Sequence, residues 1–170
     1  RLQILDRSPF DLRDPAGSLT GHLSVGLLLE HDTTLDAVSI HAKARTEGLR
    51  LAGIAAGHDL EQGALELEAS KEAMRITGLA SIARIPGQLS VDLDFREGGP
   101  AQILQRITAS TRADIRALAA LADLKLGKLA QGPASAQITY TRRRDGAAEM
   151  RIAGDLAETD LAFAPLAWRK

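Results

Sequence analysis

The sequence predicts a mainly β chain: an antiparallel meander forming a curled, groove-like sheet, with one main α-helix at about 111–123. Three observations predict it. Apolar and polar residues alternate over segment after segment, the period of a strand with one apolar face. Short stretches rich in Gly, Pro and Asp separate the segments, which suits hairpins and leaves no room for crossover helices. Only one stretch changes to helical spacing.

The elements follow in order. Arg1 to Leu5 reads as a short strand, and Asp6 to Gly17 as a loop broken by Pro9 and Pro15. From Ser18, the residues Leu19, Gly21, Leu23, Val25, Leu27 and Leu29 share one parity. Glu30 to Thr34 makes a turn, and Leu35 to Arg45 alternates through Val38, Ile40, Ala42 and Ala44. Glu47-Gly48 is expected to turn the chain into a short strand from Leu49 to about Gly57, with His58 to Gly63 as the next connection. Leu65, Leu67 and Ala69 then alternate with Glu66, Glu68 and Ser70. After Lys71-Glu72 come Met74, Ile76, Gly78, Ala80 and Ile82.

Pro86-Gly87 is expected to form another turn. Leu89, Val91, Leu93 and Phe95 then alternate with Ser90, Asp92, Asp94 and Arg96, and Gln88 to Arg96 would span roughly 30 Å as a strand. Glu97-Gly98-Gly99-Pro100 closes it. Ala101 to Ser110 reads as a strand through Ile103, Ile107 and Ala109, with a helix as the alternative. From Thr111 to Asp123, Ile115, Leu118, Ala119 and Ala122 recur at helical spacing among strong helix formers, with Thr111 as N-cap and Asp114 in the first turn. Leu124 to Pro133 is a loop or a second short helix. A hairpin follows, with Ala136, Ile138 and Tyr140 against Met150, Ile152 and Gly154, turned by Asp145-Gly146. Leu161 and Phe163 form the last strand. The organisation is one β-rich unit over 1–170: an irregular lead-in at 1–17, a meander at 18–96, and a strand, helix and hairpin at 97–170.

Composition narrows the function. The formal net charge is -1, from 21 basic and 22 acidic residues, which gives no electrostatic case for nucleic acid. Aromatics are only 3%, so the apolar residues are nearly all Leu, Ile, Val and Ala, a lining that also suits acyl chains. There is no cysteine, which excludes disulfides, thiolate metal sites and Cys nucleophiles. No apolar run has the length of a membrane helix. The chain starts at Arg1 and ends at Trp168-Arg169-Lys170, which reads as a piece excised from a longer protein.

The search for chemistry predicts no enzyme, no cofactor and no metal. His22 and His41 sit among polar strand positions, and His31 and His58 in turns; none has metal-ligand spacing. Asp92 and Asp94 lie on the polar side of an alternating strand, as solvated acids do. Asp155, Glu158 and Asp160 lack the ligand spacing and central Gly of a calcium loop. Arg142, Arg143 and Arg144 read either as a solvated hairpin tip or as a phosphate or lipid-headgroup contact. Gly53, Gly78 and Gly154 fall inside strand-like segments and mark bulges or curvature.

The run "GLRLAGIAAGHDLEQGALELEASKEAMRITGLASIARIPGQLSVDLDF", with its G-x-D-L-x-x-G step at Gly57 to Gly63, resembles the AsmA-like proteins of Gram-negative envelopes. The C-terminal half, from "ITASTRADI" to the closing "DLAETDLAFAPLAWRK", resembles segments of the YhdP-type branch. The likeness covers roughly Ser18 to Lys170. It implies a periplasmic segment of a parent protein anchored in the inner membrane. It also implies kinship with bridge-like lipid-transfer proteins, phospholipid as the ligand, and neighbouring β segments of the same chain as partners. The expected groove lining is Leu23, Val25, Leu27, Leu65, Leu67, Ile76, Leu89, Val91, Leu93, Phe95, Ile138 and Ile152. The alternative is a structural or protein-binding β module of a large envelope-biogenesis protein.

Overall fold

The alternating segments become strands, and each strand lays its apolar parity beside the apolar parity of its neighbour. The structure, a computed structural model, describes residues 13–27, 38–55, 57–127, 129–163 and 168–169. The first strands are β1 (Arg13–Leu27), β2 (Val38–Ala55), β3 (His58–Ser70), β4 (Ala73–Ile82), β5 (Ile85–Asp94) and β6 (Ile103–Asp114). Helix α1 (Ile115–Leu121) follows, then β7 (Ala130–Gln131), β8 (Pro133–Arg143), β9 (Ala148–Asp155), β10 (Asp160–Phe163) and β11 (Trp168–Arg169). Eight strands form one antiparallel sheet in the order β1-β2-β3-β4-β5-β6-β8-β9. The sheet is an open meander, with β1 and β9 as its edges. A second sheet has three short strands in the order β11-β10-β7.

Several expected boundaries are corrected. β1 begins at Arg13, ahead of the expected Ser18, and crosses two register shifts before Ser18 pairs with Glu47. Glu47-Gly48 is no turn: both residues lie inside β2, where the register with β3 slips between Arg45 and Leu49. Gly48 takes φ +63, which lets the strand absorb an extra residue as a bulge. His58 to Gly63 is likewise part of β3, whose first residue His58 pairs with Ala55 at the end of β2. The G-x-D-L-x-x-G residues thus build a bulged strand start. The Asp59 carboxylate accepts from Arg50 Nη2 at 2.8 Å and from the Gly53 N–H at 3.1 Å, and Leu60 is buried.

Pro86-Gly87 lies inside β5, and the reversal falls at Ala83-Arg84, between Ile82 and its partner Ile85. Both turn residues have positive φ, +49 and +66, the backbone of a two-residue type I′ hairpin. Gly78 faces the neighbouring strand so closely that an added Cβ would lie 2.1 Å from the Ala64 carbonyl oxygen.

The helix is shorter than expected. Residues Thr111 to Asp114 continue β6, pairing with Ala136, Ser135, Ala134 and Pro133. Thr111 is not the N-cap; its hydroxyl donates to the Pro86 carbonyl at 2.6 Å, a cross-strand bond that favours extended backbone. Asp114 caps instead, its carboxylate accepting from the Arg116 N–H at 2.8 Å. Helix α1 contacts β6, β7 and β8. The small side chains Ala119, Ala130, Ala134 and Thr159 are buried, and the Thr159 hydroxyl donates to the Pro133 carbonyl at 2.8 Å. The expected strand at 1–5 and turn at 30–34 lie outside the described residues.

Candidate functional site: the apolar face of the sheet

Residues directly paired across an antiparallel ladder share a face. One row therefore runs Gly21, Ala44, Leu67, Ile76, Val91, Ile107, Tyr140 and Met150 from edge to edge. The next runs Leu65, Gly78, Leu89, Ala109, Ile138 and Ile152. A third joins Leu23, Ala42, Ala69, Met74 and Leu93, while Val25 and Leu27 pair with Ile40 and Val38. The register thus gathers Leu23, Val25, Leu27, Leu65, Leu67, Ile76, Leu89, Val91, Leu93, Ile138 and Ile152 on one face. Phe95 falls just beyond β5, with the parity of Leu93, its N–H donating to the Glu72 carbonyl at 2.8 Å.

Exposure across this face follows a gradient. At the centre Leu65 and Val91 are 6% and 5% exposed. At the edges Leu23 is 70% exposed and Ile152 65%. Leu19, Ile40 and Met150 belong to the same face and are also exposed; the sequence reading left them out of the lining, although parity marks all three.

The opposite face carries charge. A row through His22, Lys43, Glu68, Arg75, Asp92 and Arg106 alternates sign from Lys43 onward. Lys43 Nζ lies 2.7 Å from Glu68 Oε1, and Arg75 Nε lies 2.6 Å from Asp92 Oδ1. Arg45 pairs with Glu66 in the adjoining row. The hydrogen bond from Lys43 lowers the pKa of Glu68, and the same contact raises that of Lys43. At the end of β5, the Arg96 guanidinium holds Asp94 far below the usual carboxylate range, helped by Gln102 and the Arg96 N–H. Asp92 and Asp94 are therefore ion-pair partners on the polar side.

A depression of about 700 Å³ lies on this polar side, bounded by residues including Leu79, Gln88, Ser110, Arg112, Gln137 and Asp155. Its lining mixes Leu79, Pro86 and Ala153 with Gln88, Arg112 and Asp155, and it includes none of the residues expected to line the groove.

The three consecutive arginines do not converge. Arg142 pairs with Gln105 and takes the apolar-face parity, whereas Arg143 pairs with Ile103 across the bulge between Ile103 and Gln105, where pairing and alternation along β8 point to different faces. Arg144 braces the hairpin tip, its guanidinium donating to Gln102 Oε1 at 3.0 Å and to the Arg96 carbonyl. The tip is held further by the Asp145 N–H donating to the Pro100 carbonyl at 3.1 Å.

His58 is the first residue of β3, not part of a turn. Asp155 accepts from the Ala157 N–H at 2.9 Å, and Glu158 pairs with Arg112. Among the described residues no group of three His, Cys, Asp or Glu is placed to hold a metal ion, and no helix is long and apolar enough to cross a membrane.

These features define a class: an open, curled antiparallel sheet with a continuous apolar face, exposed at both edges, and a charge-laddered back. Comparison with protein-family models, with curated proteins and with solved structures gives no match.

Proposed function

We propose that this chain is a non-enzymatic segment of an AsmA-like envelope protein whose apolar face carries phospholipid acyl chains between the inner and outer membrane, within the periplasm. The observation that carries the reading is the shared face, apolar across the sheet and most exposed where β1 and β9 end it. Each square ångström of apolar side chain covered by an acyl chain would contribute about 25 cal/mol, without directional contacts that would hold a lipid in one place. Such a surface supports sliding rather than fixed binding. Neighbouring β segments of the parent chain would pair with the two open edges and extend the face.

Lipid extraction and native mass spectrometry of the purified chain test the reading. Acyl lipid is expected to co-purify, and a photoreactive acyl probe to label β1 and β9. A lipid-free chain that takes up none from vesicles would overturn it.

A second reading rests on the edges themselves. Among the described residues β1 and β9 each have one unpaired side, the geometry that accepts a further strand from a protein partner. Proline at Ser24 or Arg151, edge-strand positions of the charged face, would abolish partner capture under this reading while leaving lipid uptake intact.

A further inference from the structure

We propose that Arg142 is the headgroup-selecting residue of the apolar face, favouring lipids with a net negative phosphate-bearing headgroup over zwitterionic ones. The inference rests on the acyl-carrying reading above and names the substrate class within it. Arg142 lies in the row of Leu93, Gln105 and Ala148, at the last residues of β8. Along the described β2 to β6, β8 and β9 it is the Lys, Arg, Asp or Glu that both cross-strand pairing and alternation along its strand put on that face.

The row turns from Leu93 to the polar pair Gln105 and Arg142, so the apolar face ends here in groups that can hydrogen-bond. No ion pair neutralises Arg142 among the described residues, whereas Arg75, Arg96 and Arg112 on the other side each have a carboxylate. Its cross-strand neighbour on β9 is Ala148, whose methyl group leaves the guanidinium uncrowded from the edge. The position is held firmly. Arg144 and Asp145 tie the adjoining turn to Arg96, Gln102 and Pro100, which fixes the end of β8.

The lengths agree. From Arg142 to Ala136 the strand covers about 20 Å, against about 15 Å for the hydrocarbon of one membrane leaflet. A phosphate on the guanidinium would therefore leave the acyl chains on Tyr140, Ile138 and their row neighbours. Guanidinium and phosphate match as charge-assisted hydrogen-bond partners.

The chain is incubated with vesicles of equal parts dioleoyl phosphatidylglycerol and dioleoyl phosphatidylcholine, separated from them, and its bound lipids counted by mass spectrometry. The expected result is about a threefold to fivefold excess of phosphatidylglycerol, the scale of one exposed charge contact. The ratio falls toward one in Arg142→Ala and below one in Arg142→Glu, stays high in Arg142→Lys, and is unchanged in Arg151→Ala, on the charged face. Inorganic phosphate at the same concentration is expected to leave the bound lipid in place; displacement would assign the site to free phosphate and overturn the proposal. Equal loading of both lipids, or an unchanged excess in Arg142→Glu, would also overturn it while leaving the acyl-carrying reading intact. No bound lipid of either kind would overturn both.

Discussion

Asp94 shows how single side chains finish the strands on the polar face. Its carboxylate takes two guanidinium hydrogen bonds from Arg96, at 2.9 and 2.8 Å, and one from the Arg96 N–H at 3.0 Å. These bonds favour the charged form, so the folded chain releases the proton more readily than the unfolded one. Glu68 and Asp59 are shifted the same way by Lys43 and Arg50. For a lowered carboxylate pKa, the stabilisation is complete above the ordinary value and lost as pH falls through the folded one. The ordinary values are 3.8 for Asp94 and Asp59 and 4.5 for Glu68, so stability should hold down to about pH 4.5 and then decline. Urea midpoints from pH 6 to pH 2 measure it. Asp94→Asn should be less stable than the parent at pH 6, and the difference should close toward pH 2.

At the level of elements, the least orthodox feature is the β4–β5 turn. Ala83 and Arg84 both hold left-handed backbone, a conformation that Asn and Gly adopt with less strain. Replacing the pair by Asn-Gly should stabilise the chain by about 0.5–1 kcal/mol, read as a higher urea midpoint with an unchanged slope. An unchanged or lower midpoint would show that the register, not the turn, carries the strain.

The same turn explains which boundaries the sequence could supply. Strict alternation from Leu89 to Asp94 and from Leu65 to Ser70 announced strands because each apolar residue meets another across the ladder. Ala83-Arg84 has no turn signature, whereas Pro86-Gly87 has one, so local chemistry pointed to the wrong reversal; pairing of Ile82 with Ile85 decided the matter. Gly48 and Gln62 were misplaced for a related reason. A bulge and a turn draw on the same residue types, and only the partner strand tells them apart. Thr111 to Asp114 looked helical because Ala and Leu follow them, yet the ladder to β8 extends past the point where propensity alone would end it. The site was more legible than the boundaries. Parity survives an error in where a strand starts, so the alternating apolar residues of β1, β3, β4, β5, β8 and β9 share a face even though β2 and β3 were cut short. The different surroundings of Arg142, opposite Gln105, and Arg144, bonded to Gln102, were invisible, because they exist only once the strands have paired.

On the scale of the whole sheet, the exposure gradient separates residues that hold the fold from residues available to a ligand. Leu93 lies buried at the centre of the apolar face, and Leu23 and Ile152 lie exposed toward its two edges. Truncation to Ala at Leu93 removes packed contacts and should cost about 2–4 kcal/mol. The same truncation at Leu23 or Ile152 removes little buried area and should cost less than about 0.5 kcal/mol. Lipid loading should respond in the other order. Leu23→Asp and Ile152→Asp place a carboxylate where an acyl chain would lie, and leaving that charge dry is far more expensive than leaving it in water. Both variants should fold with nearly the parental urea midpoint and lose most of their lipid uptake from vesicles, while Glu149→Ala, on the charged face of the same edge strand, should keep it. If the two aspartate variants load lipid as well as the parent, acyl chains do not use the edges. If they unfold, the edges belong to the core, and the distinction between a supporting centre and a working rim fails.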